Sequence, residues 1–247
     1  MKTIILLFLF LISTTILHYC FIREDFNNNM IDFLSYGDTY DLLSSNKEYY
    51  DTFYSNDFKV RGIKDVKDYM KKIQYSVVDF TEEEKNKILE AVRIADSKIL
   101  SMKTDYFNGV KANNIGWKFG LTRGNMYEEG LPHTIKDTII LNRNTIMNDK
   151  YNLATTLVHE MVHIYQKKYP DDVKKYLEEK KFKLIKKREE RDNTRANPDI
   201  DNNIYMKDNI IYKMVYHNNP SSILDVYQKN QIYEHPYEAM AIEISRL

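Results

Sequence analysis

The stretch Thr155-Thr156-Leu157-Val158-His159-Glu160-Met161-Val162-His163-Ile164-Tyr165-Gln166 constrains this chain more than any other. Leu157, Val158, Met161, Val162, Ile164 and Tyr165 surround three ionisable residues with apolar side chains. Such a segment reads as a helix buried nearly all round. Buried ionisable groups without partners are costly, and a metal ion is a natural compensation. Residues four apart on a helix share a face, with Cβ atoms about 5–6 Å apart. Two imidazoles so placed, His159 and His163, close on one Zn²⁺ at about 2.0–2.1 Å per nitrogen. Glu160 points off that axis, yet reaches the place where a general base stands in a His-Glu-x-x-His site.

The bounds are permissive. A chain of 247 residues suffices for one or two domains. Its 36 basic and 36 acidic residues cancel, so charge draws it to no nucleic acid, and none is expected as a partner. One Cys excludes an internal disulfide framework and a Cys-rich metal site. Residues 3–22 form an apolar run, and about 20 helical residues cross a bilayer core. No small-residue cleavage site follows, so the run reads as an uncleaved membrane anchor before a cleaved signal or a buried core helix. Lys2 favours a cytoplasmic N-terminus, and Arg23 weakens that preference. The chain is therefore expected to be single-pass membrane-anchored, or secreted, with its remainder on the non-cytoplasmic side. The expected organisation is an anchor over residues 1–24, a spacer or extension over 25–75 and one domain over 76–247.

Within that domain, Tyr75 to Phe80 reads as a short strand. Thr81-Glu82-Glu83-Glu84 is a capping box, followed by Ile88, Leu89, Val92, Ala95, Ile99 and Leu100 at helical spacing to about Met102. Gly116 to Thr122 alternates as a strand does. His133 to Asn142 reads as one strand, able to border the cleft and to bind an extended peptide by strand addition, or else as an ordinary core strand. His133 itself reads as a surface or turn histidine. Asn148 and Asp149 can cap the metal helix. Val173 to Arg191 mixes Lys and Glu and reads as an exposed helix with i,i+4 pairs. Asn209 to Tyr216 reads as a strand, His217 to Pro220 as a turn, and Leu224 to Ile232 as strand or irregular.

A catalytic zinc takes three protein ligands and an open position. The downstream candidates are His217, Glu234, His235, Glu238 and Glu243. Pro236 suits the first position of a helix, which puts Glu238 in its first turn beside small Ala239 and Ala241. A carboxylate on that Ala-rich face asks for a partner, so Glu238 is the expected third ligand and His235 the alternative.

His159-Glu160-x-x-His163 with a glutamate in the Pro236-x-Glu238-x-x-Ala241 setting resembles the gluzincin class of zinc metallopeptidases. The spans 134–142, 155–166 and 235–241 are also similar to uncharacterised zinc peptidases. The elongated His-x-x-Gly-x-x-His form is absent, since Gln166 to Tyr169 do not supply it, which argues against the metzincin branch. The resemblance implies an α+β, zincin-like fold. In it a small mixed sheet packs on helices that include the active-site helix, and a mainly helical C-terminal part follows. It also implies one Zn²⁺ per chain on His159, His163 and Glu238, hydrolysis of a peptide or protein substrate, and Glu160 as general base. Tyr237, His217, Tyr233 and Tyr212 are open candidates for oxyanion or substrate contacts. The alternative is a zincin-fold binding or scaffold protein at a membrane, without turnover.

Overall fold

The computed structural model describes residues 31–227 and 234–247. Residues 31–247 form one compact unit. Its main sheet has four strands in the order β1 (Ile31–Phe33), β2 (Trp117–Thr122), β4 (Thr138–Asn142), β3 (His133–Ile135). β1 and β4 both run parallel to β2, and β3 runs antiparallel to β4. Because β1 belongs to this sheet, the spacer expected over 25–75 is part of the fold from Ile31 onward. Four helices then cover residues 36–76: α1 (Tyr36–Ser44), α2 (Lys47–Tyr50), α3 (Ser55–Val60) and α4 (Val66–Ser76). Tyr75 and Ser76 end α4, and only Val77 makes a strand-like bridge, to Thr122, so no strand spans 75–80.

Helix α5 (Glu82–Ser101) starts where its capping box predicts. The Thr81 amide donates to Glu84 Oε2 at 2.8 Å, and the Glu84 amide donates to Thr81 Oγ1 at 3.2 Å. Ile88, Ala91, Val92, Ala95 and Ile99 form its buried stripe. After the short helices α6 (Gly109–Asn113) and α7 (Arg143–Ile146) comes α8 (Lys150–Lys168), which carries the His159-Glu160-x-x-His163 motif. Asp149 caps α8 by accepting from the Tyr151 and Asn152 amides at 3.0 and 3.2 Å. Leu157, Val158, Met161, Val162, Ile164 and Tyr165 are at most 1 % exposed, so α8 is sheathed on nearly every side. Each such side chain contributes about 1.5–3 kcal/mol through its burial. Helix α5 packs on α8, and so does α10 (Pro236–Ser245), whose Ala239 and Ala241 are buried there. A larger side chain at either alanine would hold the two helices apart.

Elsewhere the chain departs from expectation. His133 to Asn142 is a hairpin, with Ile135 opposite Thr138 and Lys136 turning the chain at φ 54°. The helix expected over 173–191 is α9 (Pro170–Glu179), and β5 (Lys183–Lys187) follows it. Lys181 takes φ 61°, which stops the helix, and β5 then pairs with β6 (Asn203–Lys207). β6 pairs in turn with β7 (Ile210–Tyr212), and β8 (Val215–Tyr216) pairs with β9 (Val226–Tyr227). Among the described residues after α8, the mainly helical C-terminal part is therefore corrected to a mixture of two small antiparallel sheets and two helices.

The architecture is thus mixed, with helices packed on small sheets. The expected single-pass membrane placement is corrected as well. No helix among the described residues is long and apolar enough to cross a membrane. Residues 3–22, on which that expectation rested, lie outside the described residues, as do residues 228–233 of the C-terminal segment.

Candidate metal centre

Helix α8 presents His159 and His163 one turn apart, and α10 brings Glu238 to them. The two Nε2 atoms stand 3.1 Å apart. Glu238 Oε2 lies 3.4 Å from His159 Nε2 and 3.7 Å from His163 Nε2. Ligands bound at about 2.0–2.2 Å around a tetrahedral zinc are separated by roughly 3.3 Å, so the observed separations straddle the required one. These three residues form a metal-competent group among the described residues.

Local structure aims each donor. His235 caps α10, its Nδ1 accepting from the Tyr237 amide at 3.2 Å, and Pro236 opens the helix. Glu238 then projects from the first turn towards α8. His163 Nδ1 lies 3.0 Å from Gln166 Oε1; as the donor in that bond it leaves Nε2 with a lone pair facing Glu238. The Gln166 amide donates on to the Tyr237 carbonyl at 2.9 Å, which ties α8 to α10. Asn197 Nδ2 donates to Glu238 Oε1 at 2.9 Å, so Oε2 is the oxygen that faces the imidazoles.

The charges are strongly biased. Burial outweighs every attraction at Glu160 and, with the Asp199 and Glu238 carboxylates, pushes its carboxyl well above the usual range. Glu160 is 4 % exposed, and its Oε2 is buried without a hydrogen-bond partner among the described residues. Burial alone would also raise Glu238, but the His163 and His159 imidazoles hold it well below the carboxylate range. Burial alone would lower His163, and the Asp199 and Glu238 carboxylates raise it instead. Three carboxylates, Glu160, Asp199 and Glu238, thus act on two imidazoles in one buried site.

A cavity of about 260 Å³ opens over His159, Glu160 and Glu238. Leu131, Pro132, Ile223 and Leu224 supply apolar wall, and Arg195 and Glu128 supply charge. Arg195 is already paired with Glu234. Beside the cavity runs a groove of about 750 Å³, which shares Asn197, Pro198 and Asp199 with it.

The other candidates lie elsewhere. Both ring nitrogens of His235 are engaged, Nε2 lying 3.1 Å from Asp201 Oδ1, so it is a cap and not a ligand. His217 is exposed and packs on the Tyr227 ring. Tyr237 lines the neighbouring groove, and Asp201 and Tyr205 engage its hydroxyl. Glu234 pairs with Arg195, and Glu243 accepts from Tyr176 at 3.1 Å. Tyr212 packs its ring on Phe182, and Tyr233 lies outside the described residues. His133, expected at a surface turn, is 2 % exposed, with Nε2 at 3.0 Å from the Tyr127 hydroxyl.

Sequence reasoning missed Asn197, Gln166 and Asp199. Gln166 had a local signal, since it sits three residues from His163 on the same helix face. Asn197 and Asp199 had none, because they lie in a loop far along the chain. No known protein family, curated protein or solved structure matches this chain.

Proposed function

We propose that this protein is a zinc-dependent peptidase of the gluzincin kind, with a zincin-like fold. The observation that carries the reading is the convergence of His159, His163 and Glu238 beside a buried Glu160 oxygen that has no partner among the described residues. The donor set suits zinc: two neutral imidazole nitrogens and one carboxylate, the combination of open catalytic sites. When bound, the ion supplies Lewis acidity to a water and to a scissile carbonyl. Glu160, poised by burial to hold a proton, takes one from the attacking water and returns it to the leaving amine. Gln166 and Asn197 keep His163 and Glu238 in register. The substrate's side chains next to the cleaved bond lie against Leu131, Pro132, Ile223 and Leu224.

The second reading is a zincin-like scaffold without turnover. The contacts among His159, His163 and Glu238 favour it, since they satisfy one another without an ion. It leaves the orphaned Glu160 oxygen without an explanation. Zinc per chain, measured beside Glu238→Ala, tests the peptidase reading. About one equivalent in the parent and far less in the variant is the expected result, because removing one of three ligands opens the site. A folded parent that takes up no zinc would sink the proposal.

A further inference from the structure

Strand β3 pairs only with β4 among the described residues, so its other side is a sheet edge. Alternate residues of such a strand turn both their N–H and C=O outward, towards any incoming chain. Thr134 is one of these. Its amide donates to Asp199 Oδ1 at 2.7 Å, and its carbonyl accepts from Lys167 Nζ at 2.8 Å. The hydroxyl adds to both contacts, donating to Asp199 Oδ1 and accepting from Lys167 Nζ, each at 2.5 Å. Two charged side chains thus occupy both outward backbone positions of the residue. Neither belongs to the sheet: Lys167 lies in the last turn of α8, and Asp199 sits in the loop that also brings Asn197 to Glu238.

The place matters as much as the contacts. The large groove is lined by Thr134, Lys167 and Asp199, and Asp199 also lines the cavity over His159 and Glu160. An extended chain running along β3 towards the candidate metal centre meets this pair first.

We infer that Asp199 and Lys167 form a displaceable cap on the β3 edge, which an extended peptide opens only by taking over their bonds to Thr134. This rests on the proposal that the cleft receives a peptide. The exchange leaves no backbone group stranded. A carbonyl of the incoming chain accepts the Thr134 N–H, and an amide of that chain donates to the Thr134 C=O. The released carboxylate and ammonium already stand 3.7 Å apart and close on each other. Side-chain contacts alone cannot open the cap, because only a backbone in extended form offers both replacement bonds at once. The device admits unfolded segments and rejects folded surfaces.

Amide hydrogen exchange at Thr134, followed by NMR in the full chain, tests the inference. The probe is a capped hexapeptide of alternating threonine and valine, titrated into chelator-treated protein. In the parent the Thr134 amide should exchange slowly. Asp199→Ala should speed that exchange, and bound peptide should slow it again. The peptide should bind Asp199→Ala at least about tenfold more tightly than the parent, since the charge-assisted bond from the Thr134 amide to Asp199 no longer has to be displaced. Asp199→Asn keeps an acceptor for the Thr134 N–H and should hold that amide slow without peptide. Equal peptide affinity in the parent and Asp199→Ala, or a bound peptide that leaves the Thr134 amide fast, would overturn the cap. If Asp199→Ala does not fold, Lys167→Met frees the Thr134 carbonyl and is read for the same gain in affinity. A zinc-loaded parent that leaves peptides intact while showing this exchange pattern would sink the peptidase reading and keep the cap.

Discussion

Among the described residues, the buried charges around Glu128 and those around Glu160 are built on opposite plans. In the first, Glu128 receives Arg61 Nε at 2.8 Å, Arg61 Nη2 at 2.7 Å, the Tyr69 hydroxyl at 2.7 Å and the Tyr49 hydroxyl at 2.9 Å. Nearby Asp57 accepts from Arg188, from the Ala196 amide at 2.8 Å and from the Tyr216 hydroxyl at 2.9 Å. Every carboxylate oxygen there has its donors. Burial would raise Glu128, yet Arg61 holds it below the usual range. In the second cluster, Glu160 is equally buried but its Oε2 has no donor among the described residues, and its neighbours Asp199 and Glu238 repel its charge. A network that holds a fold together satisfies itself. A site leaves a group unsatisfied for something that arrives later.

The first cluster also has a place in the second's geometry. Glu128 adopts φ 44° and forms part of the cavity wall, and Glu129 follows at φ 52°. Strained backbone of that kind persists only where its surroundings over-determine it, and the four donors on Glu128 do so. Arg61 and Tyr49 reach the Ala196 carbonyl as well, next to Asn197. The self-satisfied network therefore braces two walls of the unsatisfied site.

Substitutions can break or sharpen this contrast. The largest effect is expected at Glu160→Gln, which should lower peptide hydrolysis by about 10²–10⁴-fold, the usual reach of general acid–base catalysis. Zinc content and folding stability should be kept, because the amide removes a charge that burial already disfavours. Loss of zinc in that variant would instead make Glu160 a ligand. A stability loss of several kcal/mol would make the site a structural network like that of Arg61.

Next is Arg61→Met, which leaves Glu128 buried without its cation. Breaking one side of a buried pair costs about 3–5 kcal/mol, so chemical denaturation should show a loss of that order. Zinc binding by the fraction that stays folded should be unchanged. An Arg61→Met variant as stable as the parent would mean that the network is dispensable.

The smallest and most discriminating effect is in pH dependence, read as the stability difference between variant and parent without metal. Glu160 is raised in the folded state, so the folded protein holds its proton to higher pH than the unfolded chain. Its contribution is complete below the unfolded pKa of about 4.3 and is lost as pH rises through the folded value. Glu128 is lowered, so its contribution is present above that unfolded pKa and is lost as pH falls. Glu160→Gln should therefore gain on the parent as pH rises above about 4.3, whereas Glu128→Gln should gain on it only as pH falls below about 4.3, where the parent loses the Glu128 contribution. Parallel profiles for the two variants would erase the distinction between the clusters.

Much of the candidate site was legible because it is local. His159, Glu160 and His163 lie within one turn, and their apolar neighbours announce a buried helix. Pro236 and the alanines marked the second helix, and Glu238 followed from its first turn. Thr81 and Glu84 placed the start of α5 for the same reason. The failures share a cause too. Mixed Lys and Glu over 173–191 suits an exposed helix or an edge strand equally well, and a partner strand some 20 residues further on decided for β5. Three-residue β1 carries no periodicity of its own and exists because β2 is beside it.

The sequence by itself determined the helix that carries His159, Glu160 and His163 and the helix start that carries Glu238, since helical period and burial pattern act over a few residues. Only the tertiary structure decided that Asn197 holds Glu238, that Asp199 and Lys167 cover Thr134, and that Glu128 is satisfied where Glu160 is not. Those contacts join residues far apart in the chain, and each is a hydrogen bond of a few ångströms. No spacing rule encodes them, because the geometry that brings the partners together arises only when the whole core has packed.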